Sequence, residues 1–397
     1  MYRAEATLYL QSKNNPTLGL ENLERAMAID DRKHYFDQKE VQEILYETSL
    51  VAYTEANSTK DPAAKPALFG KALHTLERWL EHADLKTLTQ DKFQYVATVY
   101  FTYGQGGAEL GPEFQKGDKE MLQKAVTWID RGMGTVIKPN DMLLQLYTLK
   151  VAALYQLGRL TDMADCLEFE LHYKPNNKNN WQELVVIYQQ LANSADEKKD
   201  AEASYGYNIR EILTYERAQK LGFMTTPKDN FNVVVLYSTI NQFSKACELL
   251  EDGLKAGTIE STPDNWKVLG GWYQQINQND KAVQAYITAT ELFPTNAELE
   301  YQLAQVYTGL PDEAKALEHL KACIAKGGTA KPHVGWLLYA YTAMNLQKFD
   351  EALRAGNEAL EAANKIGAMD AVKQAEKMIQ SIKANIQDLE NRKLQQK

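Results

Sequence analysis

The sequence predicts an all-α protein, a right-handed superhelical solenoid of about nine helical hairpins closed by a C-terminal helix. Three observations predict it. Two stretches align at a spacing of 34 residues: from Pro263 to Asn296, Trp266, Leu269, Gly270, Tyr273, Ala282, Tyr286, Ala289 and Pro294 stand at positions 4, 7, 8, 11, 20, 24, 27 and 32, and adding 34 gives Leu303, Ala304, Tyr307, Ala316, Leu320 and Cys323. Apolar residues make up 44% of 397, with only 22 glycines and 11 prolines, a balance that suits helices joined by short turns. Alternating Val/Ile/Thr runs that would mark strands are essentially absent.

The pattern extends to both sides of the regular pair. Downstream, Trp336, Ala340, Ala352 and Ala359 fall on the landmarks after a two-residue insertion, and upstream Tyr237, Ala246 and Leu250 do so after another. Earlier copies supply Trp181, Leu184 and Tyr188, with a second helix delayed to Tyr215 and Ala218, and then Ala152, Tyr155, Ala164 and Pro175. Small residues at positions 8, 20 and 27 let two helices approach closely, and large ones at 4, 7, 11 and 24 fill the gaps between hairpins. Each hairpin then has an apolar face that only its neighbour covers.

The first third is looser. FQYVATVYFTYG pairs with MLQKAVTWIDRGM, and VQEILYETSLVAY with FGKALHTLERWLEHAD. Enlarged turns are expected at 56–68, 103–119 and 193–206, all at the turn between the two helices of a hairpin, so they should emerge along one edge. The middle turn carries Gly104, Gly106, Gly107 and Gly111 but follows a helix and lacks a Gly-Lys-Ser/Thr ending, which argues against a phosphate cradle. The division expected is an irregular N-terminal part, 1–140, a regular array, 141–366, and an amphipathic C-terminal helix, 367–397.

Within that last segment Val372, Ala375, Ile379, Ile382, Ile386 and Leu389 recur at heptad spacing, after Gly367 as a helix stop and Asp370 as the next N-cap. One reading is a solvating cap on the last hairpin. The other is a docking or dimerisation helix that makes the protein a homo-oligomer through 370–392.

Nothing in the chain spells catalysis. The six histidines, His34, His74, His82, His172, His319 and His333, form no metal-binding pair, and Cys166, Cys247 and Cys323 read as small core residues. No nucleophile elbow, Walker sequence or dinucleotide fingerprint is present. The protein is expected to be no enzyme and to need no cofactor. A net charge of −9 without a Lys/Arg stripe argues against nucleic acid, and no run of 18 apolar residues exists. The N-terminus MYRAEATLYLQSKNN lacks a signal-peptide pattern, yet it opens close to the second helix of a hairpin, which leaves room for a processed or truncated N-terminus.

These landmarks resemble those of tetratricopeptide repeat (TPR) proteins. The resemblance implies a protein-protein interaction scaffold whose first helices line a concave groove with positions 2, 5, 9 and 12. Here the groove residues would be Gln94, Thr98 and Phe101, Leu149 and Gln156, Gln182 and Gln189, Lys228, Phe231 and Ser238, Lys267 and Gln274, Tyr301 and Gln305, and Leu337 and Tyr341. The lining is amide and aromatic. Lys267 stands where some TPR proteins begin a carboxylate clamp, but Gly271 follows at position 9, so the clamp is not reproduced.

From about Tyr173 to Ala363 the chain is similar to a narrower TPR group, encoded beside TonB-ExbB-ExbD systems of Gram-negative bacteria. The residues that carry this are YKPNNKNNWQELVVIYQQL, LTYERAQKLGFMTTPKDN, LLEDGLKAGTIESTPDNWKVLGGWY and CIAKGGTAKPHVGWLLYAYTAMNLQKFDEAL. Glu211, where alanine is usual at position 20, and the unmatched N-terminal third depart from the group. The resemblance implies a periplasmic accessory protein of a TonB-type transport assembly, with TonB-, ExbB- or ExbD-type partners. The alternative is a structural protein that self-associates through its C-terminal helix and leaves the groove idle.

Overall fold

The computed structural model describes residues 1–12, 15–135, 141–310 and 312–395, and they pack as two compact units, Met1–Tyr207 and Asn208–Lys397. Every regular element among them is helical. The first unit holds α1 (Tyr2–Thr7, running on through a π-turn at Leu8–Ser12), α2 (Pro16–Lys33), α3 (Gln38–Ser58), α4 (Lys65–His82), α5 (Gln90–Gln105), α6 (Lys119–Gly134), α7 (Asp141–Leu157), α8 (Leu160–Tyr173) and α9 (Lys178–Glu197). Helix α10 (Ala201–Lys220) runs across the division. The second unit continues with α11 (Pro227–Thr239), α12 (Phe243–Ala256), α13 (Pro263–Gln275), α14 (Asn279–Leu292), α15 (Ala297–Thr308), α16 (Glu313–Ala325), α17 (Pro332–Asn345), α18 (Phe349–Lys365) and α19 (Met369–Gln395). Consecutive helices form four hairpins in each unit, α1–α2 to α7–α8 and α11–α12 to α17–α18. With α9 and α10 as a ninth consecutive pair, this is the all-α TPR-type repeat architecture the sequence predicts.

Local chemistry sets the helix ends. Pro227, Pro263 and Pro332 open α11, α13 and α17, where a missing N–H costs nothing. The Thr226 and Thr262 side chains cap α11 and α13 by accepting from the Asp229 and Asn265 N–H groups, each at 3.2 Å. Asp264 lies in the first turn of α13 instead of capping it, and Asp370 likewise falls inside α19; Asp312 does cap α16. Gly257 ends α12 in the left-handed conformation, which glycine adopts without strain.

Two of the three enlarged turns exist. Residues 59–64 join α3 to α4, and 106–118 join α5 to α6. The second turn has its own packing: Leu110 is buried and Phe114 meets Tyr103 edge-on at 4.7 Å. The third does not exist as a loop. The Ala- and Glu-containing stretch around 193–206 extends both helices, leaving only a tight turn at 198–200 with Lys199 left-handed and Asp200 N–H bonded to the Ala195 carbonyl. Helix α10 therefore starts well before the delayed position that the sequence suggested.

The landmark positions form the core. Ala246, Ala282, Ala316 and Ala352, all at position 20, have no exposed surface. In the α13–α14 hairpin a Cβ on Gly270 would lie 2.4 Å from the Tyr286 ring, and that ring is fixed by its hydroxyl donating to the Lys267 carbonyl at 3.2 Å. One register differs from the sequence reading. In α7 it is Leu154 that is buried, and Tyr155 is 63% exposed, so the repeat there is set one residue earlier.

Helix α19 packs on α17 and α18. Ile382 is fully buried in the core cluster of that hairpin, Met378 and Ile386 pack against it, and Val372 and Ala371 join Ala363 in a second cluster. The heptad seam is thus largely used in capping the last hairpin.

Gly270→Ala is expected to lower the unfolding free energy by about 2 kcal/mol, because the confined Tyr286 ring must shift. Gly271→Ala, with nothing within 4 Å of the added carbon, should raise it by about 0.5–1 kcal/mol. Urea denaturation followed by circular dichroism distinguishes the two outcomes.

Candidate functional site

Core packing leaves one stripe of each first helix uncommitted. In the second unit, position 9 of the four first helices is occupied by Val235, Gly271, Gln305 and Tyr341. Val235 and Tyr341 are 40% and 44% exposed, Gln305 is exposed, and the space a Gly271 Cβ would enter is open. The row is uncharged, with an aliphatic and an aromatic side chain at its ends and a notch and an amide between them. Val235 was not singled out from the sequence, although its repeat position alone marks it.

The structure distributes the expected groove residues unevenly. Lys228 is exposed at the start of α11, and Phe231 is half-buried, packed against the core cluster of Trp266 and Leu269. Lys267 is held by Asp264 on its own helix at 3.1 Å, and Gln274 is half-buried. Tyr301 is only 8% exposed and packs with Ala304, Leu320 and Cys323. Its hydroxyl accepts from Gln305 Nε2 at 3.0 Å, a side-chain bond between two expected groove residues. Tyr301 is therefore chiefly a packing residue that orients Gln305.

In the first unit Gln94 donates to Gln145 Oε1 at 3.1 Å, a side-chain bridge between the first helices α5 and α7. Gln145 was not expected there; the earlier register of α7 places it at position 2 and moves Tyr155, rather than Gln156, to position 12. Gln156 is itself exposed. Phe101 and Leu149 are half-buried against the core. On α9, Gln182 and Gln189 are both exposed.

One buried charge network lies within the α15–α16 hairpin. Glu300 is buried and bonded to His319 Nδ1 at 2.7 Å and Lys326 Nζ at 2.6 Å. Burial pushes its carboxyl up, but the His319 and Lys326 bonds outweigh this and hold it below the usual range. The thiols of Cys247 and Cys323 are buried, and burial raises each to about 11. Among the described residues no group of three or more His, Cys, Asp or Glu is arranged to hold a metal ion, and no helix is long and apolar enough to cross a membrane.

The hairpins and their landmarks define a TPR-type repeat protein. No family model and no curated protein matches the chain. Solved structures are similar at a distance. MamA is 19% identical over 46% of this chain and 92% of its own, with a TM-score of 0.35. The TPR2AB domain of yeast Sti1, in a pHSP90 complex, is 12% identical over 74% of this chain and 98% of its own, with a TM-score of 0.29. YrrB, described as a TPR protein with an unusual peptide-binding site, is 16% identical over 54% and 99%, with a TM-score of 0.36. These superpositions are too loose to carry an argument about sites.

Glu211 is the departure from the repeat with a measurable consequence. It is 4% exposed, and its Oε2 has no partner among the described residues. Burial raises its carboxyl from 4.5 to about 7. The folded chain then holds a proton that the unfolded chain has released, so stability falls as pH rises from about 4.5 to about 7 and is level above that. Glu211→Gln should match the parent near pH 4 and exceed it at pH 8 by about 3 kcal/mol. Equal urea midpoints at pH 8 would show that the carboxylate is solvated.

Proposed function

We propose that the protein is a non-catalytic scaffold that holds a protein segment along the first-helix face of its second unit. The observation that carries this reading is the uncharged position-9 row of Val235, Gly271, Gln305 and Tyr341. Two apolar side chains supply anchor area, and the amide can pair with a backbone. The Gly271 notch admits a side chain of the bound segment.

A finer reading places the scaffold in a TonB-type assembly of the periplasm, with TonB-, ExbB- or ExbD-type partners. It is supported by the sequence likeness around Lys220–Gly222, Lys255–Gly257 and Lys326–Trp336. Self-association through the C-terminal helix is less favoured, because the seam as far as Ile386 packs on the chain's own last hairpin.

Tagged protein recovered from its source organism identifies the partner, and binding to the purified partner is then measured. Val235→Ala combined with Tyr341→Ala should weaken that binding about tenfold or more while leaving circular dichroism native. Undiminished binding would exclude this face. Capture of proteins other than TonB, ExbB or ExbD types by the parent, lost in the double variant, would keep the scaffold and remove the finer reading.

A further inference from the structure

In the first unit, the connection from α4 to α5 passes the first turns of α3 and encloses an open cleft of about 610 Å³. It lies at the end of the hairpin opposite the enlarged turn 59–64, and it involves no residue of the position-9 row. Its apolar wall is Tyr46, Trp79 and Leu88; the two rings are 5.0 Å apart at 49°. Lys92 stands over this wall, its ammonium 5.0 Å from the Tyr46 ring and 5.9 Å from that of Trp79.

The cleft is lined by Glu43 and Asp84 as well as by two lysines, but they do not pair with each other. Lys39 and Lys92 line it and make no ion pair among the described residues. The anions are engaged: Glu43 is bonded by Arg3, and Asp84 accepts from the Lys86 N–H at 3.1 Å. His82, also lining the cleft, is 4.0 Å from Glu81. Asp91 lies nearby in the first turn of α5, where the helix N-terminus favours its charge. The Nε2 of Gln42 is shielded from solvent at the cleft wall and has no acceptor among the described residues. Two unpaired ammonium groups and an unsatisfied amide donor beside an apolar wall call for a single anionic group attached to hydrocarbon.

We propose that this cleft binds a carboxylate carried by an apolar peptide segment, with Lys39, Lys92 and the Gln42 amide on the carboxylate and Tyr46, Trp79 and Leu88 against the hydrocarbon. A monoanion matches this donor set. Charge-assisted hydrogen bonds hold the head group, and the cleft size falls in the range of small-ligand sites.

The test uses the full chain and nuclear magnetic resonance of the tryptophan indole N–H signals, with that of Trp79 assigned through Trp79→Phe. Three probes are titrated: acetyl-Leu-Phe with a free carboxylate, acetyl-Leu-Phe-amide, and acetyl-Leu-Asp-amide. The proposal expects one or both acids to shift the Trp79 signal and the uncharged amide to do so at least about tenfold more weakly. Response to the free terminus alone assigns a chain end, response to the aspartyl probe alone a side chain, and response to both the carboxylate class. Lys39→Gln, a change at a lysine outside any ion pair, should weaken the acid about threefold or more, and Gln42→Leu should also weaken it. No Trp79 shift with either acid, equal binding of the amide, or affinity unchanged in both variants overturns the proposal.

Discussion

The packing depends on one steric constraint: two helices of a hairpin must approach until backbone meets ring. At Gly270 the clearance is already negative for any side chain, and the Tyr286 ring that fills the space is itself held by the Lys267 carbonyl. The same exclusion places Gly132 against Phe93 in the first unit and Gly356 against Ile379 beneath the terminal helix. Close approach puts the large residues of positions 4, 7 and 11 outside the hairpin, where a neighbouring hairpin covers them. Small residues thus set the geometry, and the large ones supply the burial that stabilises it.

That division creates a problem of polar satisfaction, and the chain solves it repeatedly. Position-11 tyrosines reach back to a carboxylate on an earlier second helix: Tyr188 donates to Glu168 at 3.1 Å, Tyr237 to Glu216 at 2.6 Å, and Tyr273 to Glu251. With α7 and α8 in the corrected register, all three glutamates stand at position 25, beside the core residue of position 24. The position-4 tryptophans behave alike, Trp181 donating to the Pro175 carbonyl and Trp266 to Ser261 Oγ. Each bond contributes modestly, but an unmade one would cost a buried donor its water. At Tyr307 the series ends. Position 25 of the preceding hairpin is there Ile287, and the ring stacks on His319, which belongs to the Glu300–Lys326 network.

How much of this was legible follows from what each signal measures. Residue size at a 34-residue period reports helix approach directly, so Gly270, Tyr286 and the position-20 alanines could be placed from sequence. Register in α7 could not. Leu154 and Tyr155 are both large and apolar enough for position 11, and only packing separates a fully buried leucine from an exposed tyrosine. The stretch 193–206 misled because charged and small residues suit a loop and an exposed helix equally. Exposure of groove positions was legible only in part. Position 5 faces outward as Lys267 on α13 and inward as Tyr301 on α15, a difference set by neighbouring side chains and not by repeat number. The Gln94–Gln145 bridge joins helices that the sequence does not align, and no periodicity reveals it.

Because position 5 is partly drawn into packing, selectivity in the proposed scaffold role would rest on position 9. The carriers there are an aliphatic side chain, a notch, an amide and an aromatic ring, none with formal charge. On a chain of net charge −9, such a row discriminates by shape and backbone pairing, with little dependence on salt, since long-range attraction contributes little at an uncharged surface. The cleft beside Trp79 has the opposite character, two lysines outside any ion pair beside an apolar wall, and the affinity proposed for it would fall as ionic strength rises. The two surfaces therefore respond differently to one simple variable. An increase in salt that releases a ligand points to the lysine cleft, and retention under the same conditions points to the position-9 row.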